Sequence, residues 1–179
     1  TWATDLGDVT PLTSTTDSNG QATTALKGTL AGTAQVTASV NGTAAVNADR
    51  VTLTADSASA SVDSGDIAVD KTPLTANTTD VATFRAIIKD ANGNVVPGVT
   101  VSWTTDKGTL SGTTSVTGSD GVADITLSST LAGDAQVAVK VGSAAGVNAP
   151  LINFTADSAT AGIDSSDLTV DKTTLVAND

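Results

Sequence analysis

The sequence predicts an all-β protein of tandem β-sandwiches, and three observations carry that prediction. The first is an internal repeat. Trp2 and Trp103 stand 101 residues apart, and that offset holds without a gap through the pairing of residues 1–78 with 102–179. Roughly half of the pairs are identical, and an ungapped period means tandem copies of one module. Thr54-Ala55-Asp56-Ser57-Ala58 recurs as Thr155-Ala156-Asp157-Ser158-Ala159, and Asp70-Lys71-Thr72 as Asp171-Lys172-Thr173. A period of that length is one small sandwich rather than a solenoid unit. The second observation is composition. Thr and Val favour strands, and Asp, Asn, Gly and Ser favour turns; the helix formers Glu and Met are absent. The third is spacing: short alternating runs lie between turn signals such as Asn92-Gly93, Asp120-Gly121 and Lys107-Gly108.

The complete period spans 58–158, preceded at 1–57 by the later strands of one repeat and followed at 159–179 by the opening strand pieces of another. Within the complete period, 66–70 is a short strand, broken by Lys71-Thr72-Pro73 and continued at 74–76 as an edge piece that tolerates the proline. Residues 81–89 alternate, with Ala82, Phe84, Ala86 and Ile88 on one face and Thr83, Arg85 and Ile87 on the other. Asp90-Ala91-Asn92-Gly93-Asn94 is a tight hairpin turn, since Asn-Gly supplies the positive φ such turns need. The strand at 99–105 aligns Val99, Val101 and Trp103 on one face. A polar Thr/Ser-rich strand covers 110–117, and 122–128 turns Ala123, Ile125 and Leu127 inward. Ala135, Val137, Val139 and Val141 alternate inward, as do their counterparts Ala34, Val36, Ala38 and Val40; the last strand is 147–155. Seven or eight short strands with turns between them make a two-sheet sandwich. Leu151 is matched by Arg50, which puts that position at the surface, whereas Val36, Leu26 and Trp2 keep the identity of Val137, Leu127 and Trp103, as core positions do.

Charge narrows the function classes. The 19 acidic residues, all Asp, leave a net charge of −11. That balance argues against nucleic acid and anionic membrane surfaces as partners. No stretch approaches the ~20 apolar residues of a membrane-spanning helix. With no Cys, each module must fold on core burial alone. No leader segment is recognisable, and the sequence opens and closes in mid-pattern, so it reads as a window on a longer protein.

No catalytic set can be assembled: without His or Cys there is no Ser-His or Cys-His pair, and the Asp residues sit at turns and strand ends where they cap backbone N–H groups. The chain is therefore read as a non-enzyme with no cofactor. The strongest site candidate is the stretch between repeats, Asp56, Asp63 and Asp66, repeated as Asp157, Asp164 and Asp167. Ca²⁺ takes six to eight oxygens, and such a trio could hold a rod-stiffening ion. Against that, no DxDxDG loop is present, turn capping accounts for the same residues, and no metal is assigned. Asn77-Thr78-Thr79 matches a glycosylation acceptor pattern but carries little weight.

Phe154-Thr155-Ala156-Asp157-Ser158-Ala159-Thr160-Ala161 followed by Leu168-Thr169-Val170-Asp171-Lys172 resembles the module junction of bacterial Ig-like group 1 (Big-1) domains. Lys89-Asp90-Ala91-Asn92-Gly93-Asn94-Val95-Val96-Pro97-Gly98-Val99 resembles their hairpin, and Ser119-Asp120-Gly121-Val122-Ala123 their later turn. The resemblance covers the whole chain, with the three motifs in the family's order. It implies tandem immunoglobulin-like β-sandwiches arranged as a rod, the extracellular stalk of intimin- and invasin-like adhesins (inverse autotransporters). It further implies an outer-membrane barrel anchor and a tip that binds a host or bacterial surface receptor. The tip of intimin and invasin carries a Cys pair, so this Cys-free chain corresponds to shaft, its immediate partners being neighbouring repeats. Two alternatives stay open: a direct glycan- or protein-binding module, and a phage or secreted-fibre decoration domain. Trp103 and Phe84 buried with Val101, Val137 and Val139 favour the shaft; an exposed Trp103 favours a binding platform. The open ends are completed by chain outside this numbering, a reading preferred over donation of 167–179 as a strand by a neighbouring copy.

Overall fold

The computed structural model describes residues 1–171 and 173. Seven strands form the N-terminal stretch: β1 (Trp2–Thr4), β2 (Asp8–Thr10), β3 (Ala25–Lys27), β4 (Gly32–Ala34), β5 (Val36–Ala38), β6 (Val46–Asn47) and β7 (Val51–Leu53). Eleven follow: β8 (Ile67–Val69), β9 (Leu74–Thr75), β10 (Ala82–Ile87), β11 (Thr100–Thr105), β12 (Thr109–Leu110), β13 (Thr114–Val116), β14 (Val122–Ser128), β15 (Gly133–Ala135), β16 (Val137–Val141), β17 (Val147–Asn148) and β18 (Ile152–Thr155). Among the described residues the only helical pieces are single 3-10 turns at Ser57–Ser59, Ser64–Asp66, Ser158–Thr160 and Ser165–Asp167.

β8–β18 build the β-sandwich. One sheet runs β12-β14-β10-β8 and the other β13-β11-β16-β17, with β15-β18-β9 closing the side. Pairing is antiparallel except between β9 and β18. The central strands β10 and β11 carry the expected alternation. Ala82, Phe84, Ala86 and Ile88 are fully buried, while Arg85 points out and pairs with Asp124 at 2.9 Å. Register sets Phe84 opposite Ile125 on β14 and Val69 on β8. Trp103 is 1% exposed and lies in one core cluster with Phe84, Val101, Val137, Val139 and Phe154. Its indole N–H is not stranded there: it donates to Ser115 Oγ at 2.8 Å, as a buried Trp requires.

Three expected strands are each two strands in the structure. The run at 110–117 divides into β12 and β13, which belong to different sheets. Ser111 N–H donates to the Thr126 carbonyl, and the Thr113 carbonyl accepts from Trp103 N–H. A polar segment without an inward apolar row is not held to one sheet, so it can cross as an edge strand. The run carrying Ala135 to Val141, whose first part extends back to Gly133, a residue expected in the turn, breaks at Gln136. Its backbone N–H goes to Asp106 Oδ1 (2.8 Å), and its side-chain amide bonds the Val137 and Ala149 carbonyls (3.2 and 2.7 Å). The run at 147–155 breaks at Ala149-Pro150, where proline has no N–H to give a ladder.

The N-terminal stretch follows the same plan at the same offset. β4 and β6 match β15 and β17 residue for residue, and Trp2 Nε1 donates to Ser14 Oγ at 2.8 Å, as Trp103 does to Ser115. Its sheets are smaller: β1-β5-β6, β2-β3 and β4-β7. No described strand in it corresponds to β10, and Leu26 and Trp2 are consequently half-buried. Val40, expected inward, is 68% exposed. Its counterpart Val141 is covered by Val101 across the β11–β16 ladder, whereas the β1–β5 ladder begins at the Trp2–Ala38 pair and leaves Val40 unopposed. Leu151 is exposed, as its exchange for Arg50 indicates. Of the segment 167–179, residues 172 and 174–179 lie outside the described residues.

Candidate functional site

The stretch between the repeats does not gather its acidic trio. Asp56 is a turn cap: its carboxylate accepts from Ala58 N–H (3.0 Å) and Ser59 Oγ–H (2.9 Å). Asp157 repeats the cap on Ala159 N–H at 3.0 Å. Asp66 forms an ion pair with Lys89, two residues past the end of β10, and Asp167 accepts from Asp164 N–H at 2.9 Å. Asp63 starts the second 3-10 turn without a side-chain cap bond. Among the described residues no group of three or more acidic side chains converges to hold a metal ion. Asn77 is likewise a turn former, its Oδ1 accepting from Thr79 and Asp80 N–H.

The linker is tied to the sandwich instead by backbone and packing. Ser61 exchanges two backbone hydrogen bonds with Lys89 (2.8 and 3.0 Å). Val62 is buried, and Ala55 and Ala60 pack against the core cluster.

The residues that join the repeats lie in the hairpin between β10 and β11, which the sequence marks only as a turn. Asp90 is a buried carboxylate, 5% exposed. Its Oδ1 accepts from Asn92 and Asn94 N–H, both at 2.9 Å, which shapes the turn around Gly93 at φ +85°. Its Oδ2 accepts from Asn94 Nδ2 (2.8 Å) and from Asp56 N–H in the linker (3.0 Å). Asn94, held by Asp90, reaches across to the β3–β4 turn of the preceding repeat. There its Oδ1 accepts from Ala31 N–H and its Nδ2 donates to the Thr29 carbonyl, each at 2.8 Å. A carboxamide presents a carbonyl acceptor and two N–H donors in a plane, and here the oxygen and both donors are engaged. The Asn94 hydrogen bond, followed by that of Asp56, lowers the Asp90 carboxyl to about 2 against the opposing pull of burial. Asp90 is therefore ionised at any ordinary pH. Asp and Asn flanking Asn-Gly are common turn formers, so nothing in the local sequence separates a turn from a turn that also grips its neighbour.

With this geometry in view, the chain is assigned to the bacterial Ig-like domain (group 1) family, whose sequence profile matches residues 64–162. It belongs to that family and is homologous to the Ig-like domains of intimin- and invasin-type adhesins, domains that are typically non-enzymatic. The D0-D1 domain of intimin is 31% identical over 86% of this chain and 79% of its own, with a TM-score of 0.51. The Escherichia coli adhesin FdeC is 26% identical, with 74% of this chain and 43% of FdeC covered and a TM-score of 0.53. Yersinia pseudotuberculosis InvD shares the fold at 24% identity, covering 92% of this chain and 49% of its own, with a TM-score of 0.65. The chain thus spans less than half of the FdeC and InvD structures. No curated protein sequence matches it.

Proposed function

We propose that this chain is a segment of the shaft of a bacterial cell-surface adhesin, a spacer that projects a distal binding tip, with 1–57, 58–158 and 159–179 as successive repeats or parts of them. The observation that carries the reading is the joint. Side chains of one repeat hold backbone groups of the previous one at 2.8 Å through Asn94, and Asp90 ties in the linker at Asp56. A spacer under load needs its units held in a set orientation, and two hydrogen bonds from one planar amide to the same turn restrict rotation at the joint. A direct glycan-binding role has less support. Sugar platforms expose aromatic rings, whereas Trp103, Phe84 and Phe154 are buried and Trp2 is half-buried. Placement outside the cell follows from the family's adhesins, and any receptor is engaged by a tip rather than by these repeats.

Small-angle scattering on the 179-residue chain tests this. A compact globule of this length has a radius of gyration of about 16 Å. The expected result is a clearly larger value with a rod-like distance distribution, unchanged by EDTA. A value near that of a globule, or the profile of a freely hinged pair, refutes the spacer. Collapse on adding EDTA would transfer the stiffening role to an ion at Asp56, Asp63 and Asp66.

A further inference from the structure

The half of the joint that receives Asn94 exists twice in this chain. Thr29-Leu30-Ala31-Gly32 recurs as Thr130-Leu131-Ala132-Gly133, and Asp56 recurs as Asp157. The second copy has a similar backbone, although Gly133 has φ +115° where Gly32 has +156°. β15 starts at Gly133 as β4 does at Gly32. Asp157 has φ −77° and ψ 100° beside −82° and 98° at Asp56, and both cap the next turn in the same way. At the first copy the Thr29 carbonyl, Ala31 N–H and Asp56 N–H are all engaged by the Asp90–Asn94 hairpin. At the second copy the equivalent Thr130 carbonyl, Ala132 N–H and Asp157 N–H have no hydrogen-bond partner among the described residues. Lys107 Nζ donates to the Ala132 carbonyl at 3.1 Å and so does not occupy the Ala132 N–H.

We propose that Thr130, Ala132 and Asp157 form a preformed docking site for an Asp-x-x-x-Asn hairpin of another copy of this module. The partner asparagine donates to the Thr130 carbonyl and accepts from Ala132 N–H, while the partner aspartate accepts from Asp157 N–H. The occupant is specified by the contact already made at the first junction, where the same three backbone groups meet that hairpin and nothing else. The site demands both residues together. Aspartate at the Asn94 position would turn an oxygen toward the Thr29 or Thr130 carbonyl, and leucine could bond neither the carbonyl nor the N–H. This inference rests on the tandem-repeat reading but not on the shaft role, since docking is read locally.

The test extends the full 179-residue chain by a second copy of residues 79–158, which keeps the register because Asp179 is the counterpart of Thr78. Amide hydrogen exchange is followed by NMR. In the unextended chain the Ala31 amide is protected and the Ala132 amide exchanges rapidly. In the extended chain Ala132 and Asp157 slow by about tenfold or more, the effect of one well-made hydrogen bond. Asn→Asp at the appended counterpart of Asn94 returns Ala132 to fast exchange while the appended repeat's own core amides, at the counterparts of Phe84 and Trp103, stay protected; loss of that protection marks a folding failure instead. The proposal is overturned if Ala132 stays fast in a folded extended chain, or if the Asn→Asp change leaves it slow. Scattering on the same extended chain reports on the spacer role separately: a protected Ala132 in a compact particle would keep the docking site and discard the shaft.

Discussion

Phe84→Ala should unfold much of the sandwich's margin. Phe84 is fully buried on β10, with neighbours on both sides: Ile125 across the β14 ladder and Val69 across the β8 ladder. A hole there is walled by two hydrogen-bonded strands and by Trp103 in the same cluster, so it cannot close by a simple side-chain shift. Such truncations cost about 3–5 kcal/mol. A domain of this size has about 5–15 kcal/mol in total, and this chain has no Cys to supplement it. The loss corresponds to a fall in Tm of roughly 12–40 °C, at about 4–8 °C per kcal/mol. The assay is urea denaturation followed by Trp103 fluorescence in a Trp2→Phe background, so that only the complete sandwich reports. Phe84→Leu, which keeps most of the volume, should fall well short of the alanine loss. A cost below about 1 kcal/mol for the alanine variant would mean that β10 is not the centre of the core and would refute the packing argument.

Two further outcomes follow from the turns and the joint. Gly121 has φ +72°, and a Cβ there would lie 2.7 Å from Val95 Cβ and 3.0 Å from the Ile88 carbonyl oxygen, whereas Gly93 at φ +85° has nothing within 4 Å. Gly121→Ala should therefore cost more than Gly93→Ala, by about 1–3 kcal/mol, in the same denaturation assay; equal losses would show that only backbone strain counts. Asp90 should titrate near 2 in the folded chain against the ordinary 3.8. Because its folded value is depressed, its contribution is fully present above about pH 4 and is lost as pH falls through about 2. The carboxyl carbon shift of Asp90, read by NMR across that range, should show this midpoint, and a midpoint at or above the ordinary value would remove the hydrogen bonds assigned to it.

What the sequence made legible was whatever depends on alternation and repetition. The inward rows of β10, β11 and β14 come from a period of two against a buried face, and that period has one solution once Phe84 and Trp103 must be inside. Exchange between repeats located Leu151 at the surface, because Arg50 could not share a core position. Strand breaks were less visible. Gln136 interrupts β15 and β16 through side-chain bonds to Ala149 and to Asp106, thirteen and thirty residues away in sequence, and such bonds leave no periodic trace. Val40 reads as inward by alternation and by its match to Val141; the difference lies in Val101, which opposes Val141 and has no described counterpart opposite Val40. The joint was hidden for a related reason. Each Asp in a Ser/Gly/Asp stretch looks equally suited to capping, and only the fold reveals that Asp90 is buried while Asp56 caps a surface turn.

The two levels of this architecture differ in strength, and the difference bears on how a spacer would respond to load. The core of a repeat is worth several kcal/mol at least, and its ladders run through the long strands β10, β11, β14 and β16. The carboxamide of Asn94 contributes two bonds across the joint, together about 1–3 kcal/mol net. Releasing that carboxamide therefore costs less than opening a sandwich, and in a shaft built of such joints the expected first response to load is release of this contact rather than unfolding of a repeat. Ordering comes at little entropic cost, because Asp90 already holds the carboxamide of Asn94 before the turn of the previous repeat is met. The same economy explains why the hairpin carries the grip. A side chain fixed by its own turn can dock onto backbone groups, whose positions depend on the fold and not on the residue types of the neighbouring repeat. Repeats that differ at half of their positions, as 1–78 and 102–179 do, can then share one kind of joint.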